Sequence, residues 1–209
     1  AAAVKQAVER ARLLPGLNGN RIDTCGTGGD NSSSFNCSTA VALYLAAMGY
    51  QVVKHGNRSV SSSCGSADVV ESLGLPMPSD PAEASAEVKE RGFVFLFAPH
   101  YHPSFKYIMP VRKELGVRTL FNLMGPLLNP ARPTHQLLGV ARKDIMHLMA
   151  ETLLMNGVER AAVVHGHGGF DELTTFGPST VVWVGDGSIV ETELDPAELG
   201  VTPGTPEGV

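Results

Sequence analysis

Cysteine is scarce: Cys25, Cys37 and Cys64 are the three in the chain, too few and too scattered for a disulfide framework or a paired-cysteine metal site. They read as free thiols. Basic residues are outnumbered, 16 Lys and Arg against 21 Asp and Glu, for a formal net charge of −5. With no Lys/Arg-rich tract either, the chain offers no general attraction to nucleic acid or to an anionic membrane. Long apolar runs are missing too. The longest, Ala40–Met48, has nine residues, whereas a bilayer-spanning helix needs ~20. The opening AAAVKQAVER lacks a basic segment followed by an apolar one, the pattern of a secretory leader. What is present, 43% apolar and 18% charged residues in 209, suits one globular domain with a sizeable core.

Both ends predict a segment of a longer protein. Val4, Ala7, Val8, Ala11 and Leu14 recur at helical spacing until Pro15-Gly16 stops them, and the last ten residues, GVTPGTPEGV, have nothing to pack. The expected organisation is the end of a helical N-terminal region over 1–16, an α/β domain over 21–200 and a loose tail over 201–209.

Between the ends, short apolar runs alternate with helical patterns, which predicts an α/β fold: a central, largely parallel sheet covered by helices. The expected strands are Arg21–Thr24, Gln51–Lys54, Phe93–Phe97, Gln136–Val140, Ala161–His165 and Val181–Val184. The expected helices are Ser38–Met48, Ser66–Leu73, Pro81–Arg91, Pro103–Leu115 (interrupted near Pro110) and Lys143–Asn156. Asp80 and Asp195 each precede Pro-Ala-Glu, a capping carboxylate before an N1 proline. Gly49 and Gly157 fall where a left-handed C′ residue is expected. Helix Ser38–Met48 is apolar almost all round, so it is expected to be buried. Met146, Met149 and Met155 are expected to form a core stripe.

The chemistry concentrates in two loops. Asp23-Thr24-Cys25-Gly26-Thr27-Gly28-Gly29-Asp30 runs from a strand through glycines and short polar residues to the helix that starts near Ser38. Glycines let backbone amides approach an anion, and a helix N-terminus adds partial positive charge. The pattern is neither a Walker nor a Rossmann fingerprint. Residue chemistry alone leaves an anion cradle and a turn capped by Ser38 or Asn36 both open. The second loop, Lys54-His55-Gly56-Asn57-Arg58-Ser59-Val60-Ser61-Ser62-Ser63, leaves its strand with two cations, an amide and four hydroxyls. That donor density suits a phosphate or diphosphate at the strand ends of an open α/β sheet.

These loops, with GSAD (Gly65–Asp68), HPSFKYIMPVRKELGVRTLFNLMGPLLNP (His102–Pro130) and DELT (Asp171–Thr174), resemble the anthranilate phosphoribosyltransferase family of tryptophan biosynthesis. The pieces occur in family order over about Arg21 to Gly177. The resemblance implies transfer of the phosphoribosyl group of 5-phosphoribosyl 1-diphosphate (PRPP) to the amino nitrogen of anthranilate, with release of pyrophosphate and with Mg2+ as cofactor. It implies that Gly26, Gly29 and Asp30 hold the diphosphate, and that Ser34, Asn36, Cys37, Ser38 and Thr39 continue that site. Lys54, His55, Gly56, Asn57, Arg58, Ser59, Val60, Ser61 and Ser62 would wrap the ribose and phosphates, with Ser66 nearby. Metal would fall to Ser38 and to Asp171 and Glu172. Asn57 and Arg112 would meet the anthranilate carboxylate, Gly26 would border both substrates, and His55, His102 and Phe105 would line an aromatic channel. Many members carry Tyr where this chain has Phe105, which loses a hydroxyl and keeps the ring. The resemblance further implies a cytoplasmic homodimer with no nucleic-acid or membrane partner. No residue is assigned as nucleophile or general base.

Two other readings stay open on sequence: a pyrimidine-nucleoside-phosphorylase-like enzyme, and a catalytically silent nucleic-acid-binding relative of the same fold. The HxH pairs His165/His167 and His100/His102 lack a third metal ligand, and Cys64 receives no role.

Overall fold

The computed structural model describes residues 1–28, 35–58, 64–107, 114 and 120–205. In chain order, α1 (Ala2–Glu9) leads to β1 (Ile22–Gly26), α2 (Cys37–Ala47), β2 (Val52–Gly56), α3 (Ser66–Ser72), α4 (Pro81–Arg91) and β3 (Phe93–Phe97). The short α5 (Ala98–Tyr101), a 3-10 turn (Pro103–Tyr107) and α6 (Leu120–Met124) precede β4 (His135–Gly139). The chain continues through α7 (Met146–Met155), β5 (Arg160–His165), β6 (Ser179–Gly185) and β7 (Ser188–Leu194).

The strands form one seven-stranded sheet in the order β3-β2-β1-β4-β5-β6-β7. β1 to β5 run parallel, and β6 and β7 add an antiparallel edge. The expected α/β class is therefore what the chain adopts. Successive residues of a strand point to opposite faces. Val52 and Phe95 thus meet Ala42 of α2 and Ala67 and Val70 of α3 on one side. Val53, Val94 and Leu96 meet Ala84 and Val88 of α4 on the other. Leu138, Val163 and Val182 extend that second face under Met146, Met149 and Leu153 of α7. Val4 of α1 packs on Met124 and Leu128.

Local chemistry sets the boundaries. Asp80 caps α4, its Oδ1 accepting from the Ala82 amide at 2.8 Å and the Glu83 amide at 3.3 Å. Asp195 accepts from Ala197 but opens only a 3-10 turn, Pro196–Leu199. Gly49 and Gly157 take φ of 91° and 87°, the left-handed helix exits expected of them.

Three expectations need correction, and a fourth lies mostly outside the described residues. α2 is not buried all round. Thr39 and Ala42 face the sheet, while Tyr44 is 75% exposed because a single helical layer covers β1 and β2 here. The methionine stripe holds at Met146 and Met149 and fails at Met155, which is exposed in the last turn of α7. The predicted helix Lys143–Asn156 begins as a 3-10 turn, Lys143–Ile145. Of the predicted helix Pro103–Leu115, only the 3-10 turn and Glu114 fall within the described residues.

β7 went unpredicted. It is an edge strand with most side chains exposed, so it shows little apolar alternation. Its signal is the Asp186-Gly187 turn, at φ 51° and 74°, the positive pair that a two-residue hairpin prefers.

Asp80→Ala is expected to cost ~1 kcal/mol, read as a lower urea midpoint with an unchanged slope.

Candidate functional site

After β1 the chain winds outward to β2 and β3, then crosses back to lay β4 on the other side of β1. The order of an open sheet reverses between β1 and β4, and ligands of such sheets bind beyond the strand ends at that point. Here both strands end in glycine, Gly26 facing Gly139 in register. The loop after β5 fills the space these glycines leave. A Cβ at Gly26 would overlap the Asp171 carboxylate, and one at Gly139 would overlap the Asp171 main chain. At the end of β5, a Cβ on Gly166 would overlap the Glu172 carbonyl. Gly28, at φ 62°, donates its amide to Asp171 Oδ2 at 2.7 Å. The glycine loop and the acidic pair thus form one object, and the pair lies in the loop between β5 and β6.

The start of α2 faces this pair. Burial raises the Cys37 thiol pKa, and the Glu172 and Asp171 carboxylates raise it further. Next to it, Ser38 Oγ accepts from Lys54 Nζ at 3.2 Å, and the Ser38 carbonyl accepts from Thr24 Oγ1 at 2.7 Å. Lys54 is 1% exposed, and its ammonium also donates to the Thr24 carbonyl at 2.6 Å. Burial lowers its pKa, opposed by the Asp23 carboxylate. Its Nζ therefore stands behind Ser38. Thr39 is buried under the helix. Asn36 precedes α2 without capping it and donates instead to the Cys64 carbonyl at 3.3 Å, tying the first loop to the start of α3.

Gly56 ends β2 because Ser66 and Phe95 occupy its side-chain space. Ser66 Oγ donates to the Asn57 carbonyl at 3.3 Å, and Asn57 Oδ1 accepts from the Arg58 amide at 2.8 Å. The Arg58 guanidinium pairs with Asp68 at 2.5 Å and Glu71 at 2.8 Å and lies 6.0 Å from the Phe97 ring centroid.

The opposite sheet face carries the aromatic group. His55 and His102 meet edge to face at 5.2 Å, and His102 stacks with Phe105 at 5.2 Å. Both imidazoles are buried, and each keeps a buried Nε2 without a hydrogen-bond partner. Burial first, then His102, drives the His55 pKa down to about 3; burial also lowers His102. Both rings are neutral at pH 7. Beneath them, Asp23 Oδ2 accepts from Asn129 Nδ2 at 2.8 Å and its Oδ1 from the His55 amide at 3.3 Å. Burial pushes Asp23 up to about 6, against the pull of Lys54 and Asn129.

The structure therefore brings together Gly26, Cys37, Ser38, Lys54, Asp171 and Glu172 on one side of the strand ends. It gathers His55, His102 and Phe105 on the other. Gly29, Asp30, Ser34, Ser59, Val60, Ser61, Ser62 and Arg112 lie outside the described residues. Sequence reasoning passed over Asp23, Asn129, Gly139 and Gly166. The available signals were a charge inside an apolar strand and glycines repeated at strand ends.

The chain is similar to known proteins along nearly its whole length. A family model described as the glycosyl transferase family, a/b domain, matches residues 18–209. An anthranilate phosphoribosyltransferase of Oleidesulfovibrio alaskensis is 61% identical over 206 residues, which is 99% of this chain and 62% of that protein. One from Nitratidesulfovibrio vulgaris is 60% identical over 98% of this chain and 62% of its own length. The crystal structure of anthranilate phosphoribosyltransferase from Thermus thermophilus superposes with a TM-score of 0.91 at 43% identity, covering 99% of this chain and 61% of that one. The Saccharomyces cerevisiae enzyme in complex with PRPP and Mg gives 0.84 at 28% identity, over 98% and 56%. The chain thus spans about 62% of the length of these curated relatives.

Two outcomes follow from the geometry. Gly139→Ala is expected to destabilise the fold by about 1–3 kcal/mol. Gly125→Ala, with open space around it, is expected to be near neutral in the same urea titration. A histidine whose pKa falls on folding contributes stability above its unfolded value and loses it as the pH drops. For His55 that window runs from 6.5 down to about 3. Between pH 6.5 and 5, His55→Gln is expected to lose roughly 2 kcal/mol less stability than the native chain. Asp23, raised on folding, acts with the opposite sign and is common to both chains, so it cancels in the comparison.

Proposed function

From its place in the glycosyl transferase family, to whose a/b domain the chain belongs, we propose that the whole protein transfers the phosphoribosyl group of PRPP to the amino nitrogen of anthranilate. The products are N-(5-phosphoribosyl)anthranilate and pyrophosphate, the second step of tryptophan biosynthesis from chorismate. The observation that carries this reading is the acidic pair Asp171-Glu172, seated on the glycines that end β1 and β4 and follow β5, and facing the start of α2. The Thermus and yeast likenesses, the latter with PRPP and Mg, support it. The reading carries with it a cytoplasmic, homodimeric enzyme. No helix among the described residues is long and apolar enough to cross a membrane.

The residues fit magnesium. Carboxylate and hydroxyl oxygens suit a hard cation, and magnesium keeps water and substrate oxygens around few protein ligands. Asp171, Glu172 and Ser38 would hold the ion, which when bound neutralises charge on the leaving diphosphate.

The protein's own groups do the rest. The α2 N-terminus adds partial positive charge to the donor side, and Lys54 Nζ holds Ser38 from behind. The aryl amine is neutral at pH 7 and attacks without prior deprotonation. Neutral, buried His55 and His102 with Phe105 form an aromatic wall for it and place no competing cation beside the sugar carbon. Arg112 would pair with the acceptor carboxylate through its planar fork. Holding donor and acceptor on the two sides of one set of strand ends turns a bimolecular encounter into a positioned one.

Calorimetric titration of the whole protein tests this. PRPP is expected to bind with magnesium-dependent heat, weakened at least ~10-fold by Asp171→Asn, which removes a charge-assisted contact. Anthranilate binding to the loaded protein is expected to vanish in Arg112→Ala. Phosphorolysis of a pyrimidine nucleoside without a PRPP signal would show the phosphorylase reading to be right instead.

A further inference from the structure

We propose that Asn129, acting with Asp23, is a positioning residue that fixes the orientation of the His55–His102–Phe105 wall. Asn129 is buried, and its side chain bonds to none of the three rings: its amide donates to Asp23 Oδ2 at 2.8 Å and to the Val53 carbonyl at 2.6 Å, and its Oδ1 accepts from the Ala131 amide at 2.9 Å. These bonds fasten the turn between α6 and β4 to the interior of β1 and β2. Gln136 adds a second tie, donating to the Pro126 carbonyl at 2.6 Å.

The fastened turn is what holds the rings. The Gly125 carbonyl meets the His55 imidazole, and the Leu128 carbonyl meets that of His102. Asp23 grips the same unit from below through the His55 amide at 3.3 Å. His55 is thus set from two directions, by its own backbone and by a carbonyl of the turn, and Asn129 joins the two, while His102 rests on the turn through Leu128 and on His55 through the ring contact. Apolar side chains would fill the same volume with a smaller desolvation penalty, yet would leave the turn free to slide along the strands. A buried polar network with every member satisfied specifies one geometry. What it specifies here is which way two unpartnered Nε2 atoms face.

The kinetic consequence rests on the acceptor role proposed above, whereas the geometric claim does not. Two measurements separate them. The first is the nitrogen-15 spectrum of the imidazole side chains. The native protein is expected to show one fixed tautomer for each of His55 and His102, and Asn129→Ala to show averaged ring-nitrogen shifts for both. Asp23→Asn serves as a second, near-isosteric variant should the first fold poorly. The second measurement is steady-state kinetics. A displaced wall is expected to raise KM for anthranilate about tenfold while kcat changes less, with PRPP affinity held within about twofold. Unchanged ring-nitrogen shifts in either folded variant would overturn the proposal. So would anthranilate KM and PRPP affinity worsening together in step with thermal stability. Should the native protein turn over no anthranilate, the functional reading fails, and the imidazole spectra still decide the positioning claim.

Discussion

β1 and β2 are in register at Ile22↔Val52 and part beyond it, whereas β1 and β4 stay paired to Gly26↔Gly139. A parallel pair that separates inside a core strands its ladder donors and acceptors, and a buried orphan costs about as much as a lost hydrogen bond. Side chains take over here. Asp23 receives the His55 amide, Lys54 covers the Thr24 carbonyl, and Asn129 covers the Val53 carbonyl. Two of these side chains carry charge, so the parting places a carboxylate and an ammonium under the strand ends, where an apolar core would otherwise close.

The two charges emerge on opposite faces because neighbouring strand residues alternate. Lys54 looks toward α2 and Ser38, on the side where Asp171 and Glu172 sit. Asp23 looks toward Asn129 and the histidines. Glycine completes the arrangement. Gly26, Gly139 and Gly166 lie under the acidic loop, and Gly56 admits Ser66 and the start of α3. β1, β2 and β4 end in, and β5 is followed by, the one residue that lets a crossing loop rest on the sheet. The polar donor side and the aromatic side therefore share one set of strand ends and differ only in the face from which they are reached.

Much of this could be read from the chain. Apolar strands such as Phe93–Phe97 and the Asp80-Pro81 helix start announce themselves through local pattern, and the structure has both at the expected bounds. The glycine loop and the Lys54 loop stood out as crowded short polar residues at strand ends, whereas the acidic pair stood out only through the family resemblance. Asn129 and Gly139 did not stand out. Their partners lie 106 and 32 residues away, at Asp23 and Asp171, and no local period encodes such a contact. α2 misled for a related reason: an all-apolar helix implies cover on every side, and the described residues supply it on one.

Manganese, a paramagnetic stand-in for magnesium, gives the most direct view of the central claim. With PRPP present, sub-stoichiometric Mn2+ should broaden the amide signals of Gly26, Gly28 and Gly139 first and spare those of His102 and Phe105 on the other face. Broadening that centres on the aromatic face, or that spreads evenly with no focus at the β1/β4 strand ends, would contradict the account.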